Sequence, residues 1–181
     1  MYDRARLIRL VHSRALKFGQ FQLASGRVAT YYLDGKQVTL DAEGAALVAQ
    51  GLLEKLAEHL PHAVGGLTLG ADPIVGAMLA IAGMRGLALR GFLVRKEPKG
   101  HGTQRYIEGP VLPGDRVVIV EDVMTTAGSS LVAAERATEF GLKVERVLAV
   151  IDRLEGGREA LQARGLPLDT LLTVRDLGIE P

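Results

Sequence analysis

The chain has 181 residues, 48% of them hydrophobic, which is enough apolar material to bury the core of one domain. Its formal net charge of +1 gives no electrostatic reason to expect nucleic acid or an anionic membrane as partner, and the absence of cysteine excludes disulfides, thiolate metal sites and thiol catalysis. Residues 1–6 lead into a charged amphipathic pattern rather than a signal peptide, and no apolar run could span a bilayer, so a cytoplasmic protein is expected.

Asp3 is placed to cap a helix that carries Leu7, Ile8, Val11, Ala15 and Leu16 at helical spacing, with Gly19 expected to end it. Residues 21–23 and 30–33 read as short strands around a Ser25-Gly26 turn. Asp41 opens a long helix through Leu47, Val48, Leu52, Leu53 and Leu56, expected to end near Leu60-Pro61. Strands and helices then alternate. Strands are expected at 64–69, 91–94, 116–120, 144–151 and 170–174, and helices at 74–84, 129–140 and 157–164. Apolar strands alternating with helices predict an α/β fold with a parallel sheet covered on both faces, in one domain over 1–181. Residues 95–113 lack periodicity and are rich in charge and glycine, as in lids, binding loops or disordered segments.

The apolar run Val117-Val118-Ile119-Val120 predicts a central strand with two carboxylates, Glu121 and Asp122, at its C-terminal end. Thr125, Thr126, Ala127, Gly128, Ser129 and Ser130 follow, and then a helix. Ligands of open α/β sheets bind beyond the carboxyl ends of strands. A loop of small residues entering a helix offers N–H groups and hydroxyls to an anion, and large side chains would hold a phosphate away. Two acids at the strand end can accept from vicinal hydroxyls, so the combination suits a sugar phosphate. Neither G-x-x-x-x-G-K-[ST] nor a strand followed by G-x-G-x-x-G occurs.

This segment resembles the phosphoribosyl-diphosphate (PRPP) signature of the type I phosphoribosyltransferases. The resemblance implies a central parallel sheet flanked by helices, a small hood over residues 1–40, a flexible catalytic loop over 95–109, and Mg²⁺. It places PRPP on Glu121, Asp122, Thr125, Thr126, Ala127, Gly128 and Ser129, with Asp122 among the catalytic groups. It implies that Mg²⁺ is held mainly by PRPP and waters, with no direct protein ligand.

Arg95-Lys96-Glu97-Pro98-Lys99-Gly100-His101-Gly102 puts three permanent cations and a histidine within seven residues. Mobile cations can stabilise the charge that develops as pyrophosphate departs, and a closing lid excludes water. The loop resembles that of the orotate-specific branch of the family. By that resemblance Arg95, Lys96, Lys99 and His101 contact the pyrophosphate, Lys99 and His101 act in catalysis, and the loop reaches the neighbouring subunit of a homodimer with shared active sites.

Residues 21–34 are similar to the N-terminal motif of the same branch. Adjacent Tyr31 and Tyr32 point to opposite faces of a strand, so one can pack inward while the other covers a planar base. Some members carry a functional lysine where this chain has Ala24; Arg27 and Lys36 lie nearby, and neither is assigned that task. Residues 65–73 form a strand-to-helix turn with Pro73 suited to a first helical position. They occupy the place of the family's pyrophosphate loop, without the lysine that some orotate-specific members carry there, and Asp72 either contacts a metal-bound water or caps the helix. Asp152-Arg153 matches the family's Asp-Arg near the base, where the Arg153 fork suits orotate oxygens. Tyr31, Tyr32, Thr125 and Arg153 are thus the orotate-binding candidates. The reaction implied is orotate plus PRPP giving orotidine 5′-monophosphate and pyrophosphate, in pyrimidine biosynthesis. A sibling acting on a purine or another pyrimidine, and a non-catalytic regulator with the same fold, are the alternatives. The 95–102 loop, the tyrosine pair and the near-zero charge favour the first.

Overall fold

The computed structural model describes residues 2–22, 28–97 and 106–180. Helix α1 (Arg4–Leu10) starts where expected: the Asp3 carboxylate accepts from the Arg6 N–H at 2.9 Å. It continues as a π-helical stretch (Val11–Ala15) and passes directly into β1 (Leu16–Gln22). Leu16 is therefore the first residue of a strand, and Gly19 lies inside that strand at an irregularity between Phe18 and Phe21. Leu16 is buried like Ala15 before it, so apolar spacing alone could not separate the last helical residue from the first extended one. β1 pairs antiparallel with β2 (Val28–Leu33), with Phe18 opposite Tyr31. The expected Ser25-Gly26 turn lies outside the described residues.

A single turn, α2 (Lys36–Thr39), precedes α3 (Ala42–Lys55). Asp41 caps α3 by accepting from the N–H groups of Glu43 and Gly44, both at 3.1 Å. The helix stops at Lys55, short of the predicted end. Next come β3 (Ala63–Leu67), α4 (Ala71–Met84), β4 (Arg90–Val94), β5 (Ile107–Glu108) and β6 (Arg116–Met124). They are followed by α5 (Gly128–Glu139), β7 (Lys143–Asp152), α6 (Gly157–Gln162), β8 (Leu168–Thr173) and a 3₁₀ turn (Val174–Leu177).

The six central strands run in the order β5-β4-β3-β6-β7-β8. All neighbours are parallel except β4 and β5, so the sheet is mixed, not wholly parallel. β5 falls in the segment read as a loop, because two residues are too few to show alternation.

Alternate residues of the central strands feed two cores. Val118, Val120, Leu148 and Val150 meet Leu7, Val48, Leu52, Ile74 and Met78 on one face. Val117, Ile119, Val147 and Ala149 meet Phe92, Ala133, Ala137 and Leu161 on the other. Leu16, Leu33 and Tyr31 pack into the first of these cores, so the two-stranded sheet shares its apolar interior with the main sheet.

Two features position the site. β6 pairs with β3 only as far as Ile119 but follows β7 to Met124. The chain leaves β3 toward β4 and leaves β6 toward β7, in opposite directions. A crevice must open where those connections part.

Candidate active site

Glu121 and Asp122 lie within β6, not beyond its end as the apolar run suggested, and only 9% and 7% of their surfaces are exposed. Two glycines let neighbouring backbone approach them. A Cβ on Gly70 would lie 2.8 Å from Asp122 Oδ1 and 3.2 Å from Glu121 Oε1. A Cβ on Gly35 would lie 3.0 Å from Asp122 Cβ. The acid pair is thus held between the loop after β3 and the turn after β2.

The two acids have different partners. Glu121 accepts from the Ser130 hydroxyl at 3.0 Å, and burial, then repulsion from Asp122, push its carboxyl up from 4.5 to about 7. Asp122 accepts from the Val123 N–H at 2.9 Å and faces the Lys36 ammonium at 3.5 Å. Lys36 also meets Asp34 at 3.0 Å. Burial would lower the Lys36 pKa, but its two carboxylate neighbours outweigh that and raise it. Among the described residues, no other ion pair reaches either acid.

Past β6 the chain turns through Thr125 and Thr126 to Ala127, whose backbone is left-handed (φ 67°) and serves as the N-cap of α5 without a side-chain cap. That conformation costs an alanine about 1 kcal/mol. Thr126, Gly128 and Ser129 are exposed, so the uncapped first turn of α5 offers N–H groups to an anion.

Beside this loop is a cavity of about 420 Å³ lined by Val28, Ala29, Thr30, Tyr31, Thr126, Arg153 and Glu155. Arg153 Nε donates to the Tyr31 hydroxyl at 3.1 Å, and its guanidinium lies 4.8 Å from the Tyr31 ring centroid. Glu155 holds the other end of the fork at 2.8 Å. Tyr32 faces away, 46% exposed, with its ring 5.7 Å from that of Phe21, and does not line this cavity. Neither Thr125 nor Lys36 lines it either. A larger cleft of about 490 Å³ near Tyr2, Arg4, Thr173 and Asp176 contains none of the predicted site residues.

Arg95 leaves β4 with its N–H bonded to the Tyr106 carbonyl at 2.8 Å, so β4 and β5 extend into a hairpin base beneath the cationic loop. Its guanidinium turns to Glu108 at 3.6 Å, and Lys96 is exposed. Arg136 of α5 clamps this base: its guanidinium stacks 4.0 Å over the Tyr106 ring and donates to the Arg95 carbonyl. Lys99 and His101 lie outside the described residues.

Two sequence expectations change in detail. Gly70, not Asp72, is the N-cap residue of α4, and Pro73 is its third helical residue. Asp72 instead buries Oδ1 without a partner among the described residues, and burial raises its pKa. Asp152 is fully buried and accepts from the Leu154 N–H at 2.9 Å, so it anchors the turn, and of the Asp152-Arg153 pair it is Arg153 that lines the cavity. Lys36 had no assigned role; Gly35, allowing close approach beside an acid and a lysine, was the available signal.

No family model matches the chain. It is 51% identical over 185 residues to the orotate phosphoribosyltransferase of Rhodopirellula baltica, covering 99% of this chain and 96% of that protein. The chain belongs to the orotate phosphoribosyltransferases. The orotate phosphoribosyltransferase of Aquifex aeolicus is 46% identical, with 98% of both chains covered. A solved Mycobacterium tuberculosis orotate phosphoribosyltransferase in complex with Fe(III) dicitrate superposes with a TM-score of 0.87 at 41% identity, covering 97% of this chain and 99% of that one. The same enzyme in complex with PRPP gives 0.83 at 36% identity, covering 97% and 99%. Adenine phosphoribosyltransferase of Rhodothermus marinus, at TM-score 0.64 and 20% identity, shares the fold alone. This orotate phosphoribosyltransferase is therefore a pentosyl-transferring enzyme with the type I fold.

Proposed function

We propose that the chain transfers the ribose 5-phosphate of PRPP to orotate. The N1–C1′ bond forms as the bond from C1′ to pyrophosphate breaks, and the N1 proton leaves to solvent. The products are orotidine 5′-monophosphate and pyrophosphate. One observation carries this reading: the acid pair, the uncapped start of α5 and the Tyr31–Arg153 cavity adjoin one another, with Thr126 shared between loop and cavity.

The 5′-phosphate binds at residues 125–129, where N–H groups and hydroxyls converge. Asp122 and Glu121 accept from the ribose hydroxyls. In the cavity Tyr31 supplies a flat apolar face, and the Arg153 fork orients the oxygens of the base. Arg95, Lys96, Lys99 and His101 meet the leaving pyrophosphate, completing the site of a partner chain in a homodimer. Among the described residues no three acidic or imidazole groups converge on one point. The buried acids, with one cation against them, fit donor oxygens and metal-bound waters better than a bare ion. Mg²⁺ carried by PRPP would neutralise the departing charge. No helix of the described residues is long and apolar enough to cross a membrane, and the proposed setting is cytoplasmic.

Product analysis tests this. PRPP with orotate, uracil or adenine in turn should give orotidine 5′-monophosphate and no other nucleotide. A uridine or adenosine nucleotide as the main product would move the chain to a sibling activity. No product from any base would leave a nucleotide-binding regulator.

A further inference from the structure

We infer that Lys36 is a positioning residue of the donor site, latching the two-stranded N-terminal sheet onto the ribose-binding carboxylate of Asp122. The inference rests on the transfer reaction proposed above. Asp122 has a fixed side-chain oxygen, Oδ1, held by the Val123 N–H at 2.9 Å, and a second, Oδ2, that faces Lys36 at 3.5 Å. Lys36 is itself aimed by Asp34 at 3.0 Å. Asp34 is set in turn by the Lys36 N–H and the Gln37 amide, both at 3.2 Å. Gly35 makes the approach possible, since a Cβ there would sit 2.9 Å from Val123 Cγ2 and 3.0 Å from Asp122 Cβ.

The arrangement does two things. Burial first, and then repulsion from the adjacent Asp122 carboxylate, push Glu121 up to about 7. The ammonium holds the Asp122 carboxylate in one orientation, leaving its remaining lone pairs for donor hydroxyls. Lys36 also closes the segment that carries Thr30 and Tyr31, which line the base cavity. The wall of that cavity and the ribose acid are therefore tied together through one side chain. Because the Lys36 side chain is 45% exposed, removing it opens no cavity, and a pair this open adds little to folding stability.

The test pairs Lys36→Met and Lys36→Arg with Asp122→Asn, measuring PRPP binding by titration calorimetry and steady-state kinetics with both substrates. A charge-assisted contact corresponds to about a tenfold or larger effect. Lys36→Met should raise Kd and KM for PRPP about tenfold while kcat falls less than about threefold. Lys36→Arg should recover to within about threefold of wild type. In the Asp122→Asn background the Lys36→Met change should add less than about twofold, because the acid it acts through is gone. Unchanged PRPP affinity in Lys36→Met, or full additivity in the double variant, overturns the assignment. Melting temperatures within a few degrees of wild type separate a positioning role from misfolding. Wild type that binds PRPP but does not turn over orotate refutes the reaction and leaves the calorimetric test of Lys36 intact.

Discussion

Glu121 is the residue on which the site exerts most electrostatic strain. Its carboxyl rises from 4.5 to about 7, first because it is buried and then because Asp122 lies beside it. The folded state thus binds the proton more tightly than the unfolded chain does. Stability from this group is fully present below about pH 4.5 and is lost as pH rises through about 7, at a cost of at most about 3 kcal/mol. Glu121→Gln removes the ionisation and keeps an oxygen for the Ser130 hydroxyl. Without PRPP, the variant should melt a few degrees above wild type at pH 8 and level with it near pH 4.5. Thermal unfolding across that range checks this, and a constant offset at both ends would show that Glu121 is not the titrating group. The tyrosine pair makes a related point. Their opposite orientations follow from strand geometry, but only the packed structure decides that Tyr31 meets Arg153 and Tyr32 meets Phe21.

At the scale of elements, the Gly65-Gly66 pair in β3 explains how β3 and β6 come close just before they part. A Cβ on Gly66 would lie 2.4 Å from the Val120 carbonyl oxygen and 2.7 Å from Ala71 Cβ. Neither is the end of a flexible side chain, so backbone must move. Gly66→Ala should cost about 2–3 kcal/mol and lower the melting temperature by roughly 5–10 °C in a chain of this size. It should also weaken PRPP binding, since residues 68–70 continue from β3 to the acid pair. Gly76→Ala is the contrast: nothing lies within 4 Å of its Cβ, so the helix α4 should gain about 0.5–1 kcal/mol. Calorimetric unfolding of both variants distinguishes a steric glycine from a merely permissive one. Glycine within an apolar strand was a legible sign of close approach; which backbone it meets was not, because β6 follows it by some fifty residues.

For the whole molecule, the proposed shared site makes a complementation prediction. Lys99→Ala and Asp122→Asn homodimers should each be nearly inactive. Mixed with subunit exchange, about half the dimers become heterodimers, each with one undamaged site, so about a quarter of wild-type activity should return. Exchange seen by mass spectrometry without recovered activity would place loop and acids within one chain. Exposed apolar side chains at Leu69, Met84 and Leu112, 72%, 88% and 65% accessible, are compatible with a partner surface.

What the sequence determined by itself was local and periodic. Alternation and helical spacing, with the caps Asp3 and Asp41, marked most of the elements and the α/β class. The hydrophobic run, the acid pair and the small-residue loop marked the proposed donor site, because those residue types act over a few consecutive positions. Tertiary structure alone decided the rest. β6 carries the acids inside the sheet because β7 continues beside it to Met124, and β5 exists because β4 offers it an edge. Asp152 anchors a turn while Arg153 faces the cavity, and Lys36 reaches Asp122 across a large sequence separation. These are contacts between distant segments, and no periodic pattern encodes which segments meet. They depend on the close approaches that glycines permit and on the point where two parallel strands diverge.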